Sequence, residues 1–183
     1  MTTRCNLLYK VLYEDFYMRA VHILFYRPSK DDHWLNNLVS SISPPYSHCD
    51  IQFENDIASS IYQNECVYMC KKTFSRLNYE RISLTVTDQE YHDMVKFCEK
   101  NCSEQTGFDV YGMIGCFIPF YNFTPSNKTF CSRYVVEALQ SGKSEYDSLT
   151  SHKTSPSVLY KFLVAKNKSF IHIPEKRITK CTV

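Results

Sequence analysis

One of the nine cysteines of this 183-residue chain stands where a thiol nucleophile would be useful. Cys131 opens the stretch Cys131-Ser132-Arg133-Tyr134-Val135-Val136-Glu137-Ala138-Leu139-Gln140. Its apolar spacing predicts a helix from about Thr129 to Ser141, closed by Gly142 as a C-terminal cap. On that helix Cys131, Val135 and Leu139 share the inward face, directly after a polar loop from Tyr121 to Lys128. A helix N-terminus carries about +0.5 elementary charge and backbone N–H groups without intrahelical partners. Both favour thiolate over thiol, and the N–H groups lie where a tetrahedral oxyanion would form. The chemistry this points to is acyl transfer through a thioester.

Such a thiol needs a base on a rigid neighbouring element, most simply a histidine. His48 opens the segment His48-Cys49-Asp50-Ile51-Gln52-Phe53 after the Pro44-Pro45-Tyr46-Ser47 turn. Strand alternation sets Ile51 and Phe53 on one side and His48, Asp50 and Gln52 on the other. His22 lies within an early strand, His33 and His92 lie on polar helix faces, and His152 lies in a polar loop. His172, in a predicted last strand, is the competitor.

The elements that must position these two side chains are legible as a mixed pattern. Val21, Ile23 and Phe25 alternate, predicting a strand over 20–27, and Trp34, Leu35, Leu38, Val39 and Ile42 predict a short amphipathic helix over 31–42. Strands are expected at 47–53, 57–63, 65–72 and 79–86. Thr87-Asp88-Gln89-Glu90 is a complete capping box, opening a helix to about residue 103. Residues 108–120 are apolar and ambiguous between helix and strand. Ser155-Pro156 starts another helix with the N-cap/N1 pairing, and Phe170 to Ile173 reads as a final strand. The fold class is α+β: mostly antiparallel strands, with helices around them and no internal repeat.

Composition narrows the function. Hydrophobic residues make up 44% and charged residues 22%, which excludes a disordered or low-complexity chain. The formal charge of +2 gives no electrostatic basis for nucleic-acid binding as a main role. With four glycines there is no GxGxxG or GxxxxGK[ST] phosphate cradle, and neither GxSxG nor HExxH occurs. No cofactor is expected. The Cys98/Cys102 pair is spaced to share a metal on a helix, but Cys66 and Cys70 fall in a strand, about 13 Å apart. The expectation is therefore scattered thiols rather than a zinc site. No signal peptide or membrane-spanning segment is apparent, so a cytoplasmic location without integral membrane association is expected. The sequons at Asn101, Asn122, Asn127 and Asn167 are then read as chance.

The order strand, turn, Ser47-His48, further strands, a helix, and then Phe130-Cys131-Ser132…Val135…Ala138-Leu139 resembles the circularly permuted NlpC/P60 group of papain-like proteins. That group includes bacterial lipoprotein-like hydrolases, lecithin-retinol acyltransferase-like enzymes and proteins of large DNA viruses. The resemblance covers roughly residues 20–165 of a chain read as one domain, with a C-terminal strand and basic tail over 166–183. It implies a permuted papain-like fold with the His on a strand and the Cys at the N-terminus of a packed helix. It implies Cys131 as nucleophile, His48 as general base, and a third polar residue on the strand beside His48 that orients the imidazole. Pairing 51 with 57 keeps Ile57 and Ile61 on the apolar face and sets Ser60 opposite His48. A tighter turn brings in Tyr62 or Gln63 instead, so the third residue stays open among Ser60, Tyr62 and Gln63. The implied substrate is a peptide, protein or lipid acyl group, held through an amide or ester bond. The alternative is a papain-like protein whose pocket has lost its orienter and serves as a protein-interaction module.

Overall fold

A computed structural model of the chain describes residues 17–122 and 125–171. Its centre is a five-stranded antiparallel sheet of β1 (Met18–Tyr26), β2 (His48–Gln52), β3 (Ile57–Ser60), β4 (Tyr68–Lys71) and β5 (Tyr79–Thr87), in the order β4-β3-β2-β1-β5. The helices are α1 (Trp34–Ile42), α2 (Asp88–Ser103), α3 (Val110–Gly115), α4 (Cys131–Gly142) and α5 (Pro156–Ile171). A two-strand parallel pair, β6 (Gly107–Phe108) with β7 (Lys128–Thr129), lies apart from the main sheet. The α+β class therefore holds.

Period-2 alternation on the central strands divides the molecule. Val21, Ile23 and Phe25 of β1, Cys49 and Ile51 of β2, and Ile82, Leu84 and Val86 of β5 are buried in one core cluster. Met94 and Cys98 of α2 and Tyr134, Val135, Ala138 and Leu139 of α4 close the same cluster. The capping box at Thr87 and Glu90 forms in both directions and fixes where α2 begins. β2 departs from simple alternation: all five of its residues are buried, although His48, Asp50 and Gln52 alternate with Cys49 and Ile51. Polar side chains buried on a central strand are the informative feature of the fold, because burial without a partner is costly.

Several boundaries differ from the sequence expectation. α1 starts at Trp34 because Asp32 is engaged by Tyr26 and by the Ser29 N–H, and His33 caps the helix through its ring nitrogen. The ambiguous 108–120 segment resolves into α3, capped by Asp109, whose Oδ1 accepts the Gly112 N–H at 2.8 Å. The expected final strand at 170–173 is corrected, since α5 runs on through Ile171; residues 172–183, including His172 and the basic tail, lie outside the described residues.

Gly142 is also not a left-handed cap: it is the last residue of α4, followed by Lys143 in extended conformation. Its role is close approach. A Cβ there would stand 2.6 Å from the Glu90 carbonyl oxygen and 2.7 Å from Met94. Gly142→Ala gains helix propensity of up to about 1 kcal/mol, but forces α4 away from the backbone of α2, at a typical cost of about 1–3 kcal/mol. We expect a net loss, read as a melting temperature lower by a few degrees; an unchanged or raised Tm would mean that the two helices are not held this closely.

Candidate active site

The site forms where the first residue of β2 meets the first turn of α4. The small sheet fixes the approach to α4: the Asp109 N–H donates to Thr129 O at 2.7 Å and the Gly107 N–H to Asn127 O at 3.1 Å. Phe130 follows in extended conformation and offers no side-chain cap, so the first-turn N–H groups beside Cys131 are left for another acceptor. Cys131 itself is 4% exposed and lines, with His48, a cleft of about 260 Å³.

Cys131 and His48 both line this cleft, and each shifts the other's proton affinity. The Cys131 thiol is held well below its ordinary range. The Cys49 thiol donates to it, burial opposes the charge, and the His48 ring and the Cys49 N–H complete its stabilisation. Cys49, wholly buried, moves the other way: burial and its bond to Cys131 keep it protonated. Burial also disfavours charge on His48, but the adjoining Asp50 carboxylate and Cys131 outweigh it and carry the ring up to about 10. Both shifts run in the direction that favours a thiolate beside an imidazolium.

The third position differs from the expected one. Ile51 pairs with Ser59 and Gln52 with Ala58, not 51 with 57. The reason is a tighter turn over Glu54–Asp56, made possible by left-handed backbone at Asn55 (φ 57°) and Asp56 (φ 61°). A two-residue shift leaves every side chain on its face, so the hydrophobic pattern alone does not reveal it. Continued along the strands, this register sets Ser60 beside Asp50 and Tyr62 beside His48. Ser60 Oγ still reaches His48 Nε2 at 3.0 Å, as a diagonal neighbour. Tyr62 stacks flat on the imidazole, ring centres 4.2 Å apart and 16° from parallel. Gln63 lines the cleft.

The residue that sequence reading missed is Asp50. Fully buried, it places Oδ1 3.4 Å from His48 Nε2 and 3.8 Å from Lys72 Nζ. At these lengths it acts as a charge facing two cations rather than as a close hydrogen-bond acceptor. Burial works against its ionisation, but His48, with Lys72 and Ser60 behind, holds the carboxyl below its usual range. Nε2 is thus engaged by Asp50 and Ser60. Lys72 closes the back of the site: its ammonium donates to the Tyr62 and Tyr68 hydroxyls at 3.0 and 3.2 Å and lies over the Tyr62 and Phe74 rings. The signal that could have found Asp50 is His-x-Asp on one strand, which puts both side chains on one face.

His22 pairs with Ser83, His92 with Asp88, and His33 stands on the far rim of the cleft as the cap of α1. Among the described residues no group of three or more His, Cys, Asp or Glu side chains could hold a metal ion, and no helix is long and apolar enough to cross a membrane. Comparison with protein-family models, curated proteins and solved structures finds no match for this chain.

Proposed function

We propose that this protein is a thiol-dependent hydrolase or acyltransferase of the permuted papain-like kind, acting on an amide or ester bond. The observation that carries this reading is a buried thiol, imidazole and carboxylate in series, Cys131–His48–Asp50, beside a cleft at an uncapped helix N-terminus. Cys131 Sγ attacks the acyl carbon, and the carbonyl π pair moves to oxygen, facing the N–H groups of the α4 first turn. The His48 imidazolium gives its proton to the leaving amine or alcohol as the C–N or C–O bond breaks, leaving a thioester. Water, or an acceptor amine or alcohol, then loses its proton to His48 and attacks the thioester, and Cys131 departs as thiolate. Asp50 and Ser60 orient the ring and compensate its charge throughout.

The competing reading, a binding module with a degraded site, rested on the lack of a strong orienter. The Asp50 carboxylate beside the ring favours the enzyme reading over it. The test is direct: p-nitrophenyl acetate should give a burst of nitrophenol stoichiometric with protein, and peptide mapping should find the acetyl group on Cys131. Acetylation spread over other side chains, undiminished in Cys131→Ser, would contradict the proposal.

A further inference from the structure

We propose that the acyl group this site takes is uncharged and apolar, seated against a wall formed by α1 and α3; the inference rests on Cys131 being the nucleophile. Leu35 and Val39 of α1 and Met113 of α3 line the cleft, together with Phe108. They belong to a second hydrophobic cluster, separate from the main core, that also holds Phe130, the residue immediately before the thiol. The apolar wall is therefore anchored to the nucleophile's own backbone, next to the thiol that would carry the acyl group. The polar lining is neutral apart from the two histidines: Asn36, Ser47, Gln63 and Asn64 offer hydrogen bonds, and no Lys, Arg, Asp or Glu is among the described lining residues. A substrate carboxylate or phosphate next to the scissile carbonyl would lose its water and meet no lysine or arginine, while the His48 ring is already faced by Cys131 and Asp50.

The size and surroundings sharpen the choice. About 260 Å³ is small for a ligand cleft and suits one side chain or a short acyl chain. The same two helices also carry exposed apolar side chains, Trp34 (61%) and Leu38 on α1 and Tyr111 (77%) and Ile114 on α3.

The experiment compares p-nitrophenyl esters on the full chain, subtracting the rate of Cys131→Ser. Each buried methylene is worth about 0.8 kcal/mol, so butyryl should exceed acetyl by about tenfold in kcat/KM. Succinyl, similar in size to butyryl but ending in a carboxylate, should fall at least tenfold below butyryl. Two further substrates separate the sources of such a group. A continued rise to octanoyl indicates a fatty-acyl donor, whereas N-acetyl-leucyl favoured over both octanoyl and N-acetyl-glutamyl indicates an apolar residue of a peptide; either outcome supports the inference. Acetyl, butyryl and succinyl esters reacting at equal Cys131-dependent rates would overturn it while leaving the thiol mechanism intact. Loss of any Cys131-dependent rate would instead remove the nucleophile reading, and this inference with it.

Discussion

Asp50→Asn is expected to lower turnover by up to about 10⁴-fold, the loss that follows when the carboxylate behind a catalytic histidine is neutralised. The substitution keeps shape but removes the charge facing both His48 and Lys72. His48 then loses a main support for its imidazolium and falls from about 10. Cys131 loses cationic stabilisation in turn, so its alkylation profile should move toward higher pH. Stability should fall too, because two cations are left without their buried partner, typically at about 3 kcal/mol or more. For a chain of this length that is a melting temperature lower by roughly 10 °C.

The pH dependence of that loss has a definite sign. His48 is raised above its ordinary 6.5, so its contribution is whole below that value and disappears as pH rises through about 10. Asp50 is depressed below 3.8, so its contribution is whole above that value and is lost in stronger acid. The difference in Tm between wild type and Asp50→Asn should therefore be largest between pH 4 and 6.5 and shrink toward pH 10. A constant difference across pH would mean that Asp50 acts through packing alone.

Cys131→Ser should have the opposite balance, with activity lost and the fold kept. The serine hydroxyl stays protonated at neutral pH, and removal of a nucleophile commonly costs on the order of 10³-fold or more. The exchange is nearly isosteric at a site 4% exposed, so stability should change by less than about 1.5 kcal/mol. Turnover of an ester substrate and thermal melting of the same sample check both halves. Wild-type activity in Cys131→Ser would end the thiol mechanism, and a collapsed fold would make Cys131 a core residue first.

The parts of this architecture that were legible in the sequence are those set by local rules. The Thr87–Glu90 capping box, the Ser155-Pro156 helix start and the alternation of Val21, Ile23 and Phe25 each depend on a few neighbouring residues. The positions of Cys131 and His48 followed from the same rules: a helix after a polar loop, and a strand after a proline turn. What was hidden depends on distant pairing. The β2–β3 register turned on left-handed Asn55 and Asp56, and a two-residue slip leaves no trace in the hydrophobic pattern. Asp50 read as one of three polar residues on the side of β2 away from its apolar residues; its burial comes with Tyr62 and Lys72, which arrive from other parts of the chain. Gly142 looked like a cap because its neighbour across the helix interface, Glu90, is 52 positions away.

The central claim is that Cys131 rests as a thiolate paired with the His48 imidazolium, and iodoacetamide labelling across pH with mapping of every cysteine tests it most directly. Despite its burial, Cys131 should be alkylated at pH 6 ahead of the exposed Cys66 and Cys70, with a rate that is nearly flat up to about pH 9. In His48→Ala the profile should shift upward by a unit or more while the protein stays folded. Labelling that begins at Cys66 and Cys70, with Cys131 reacting only at alkaline pH and indifferent to His48, would contradict the account.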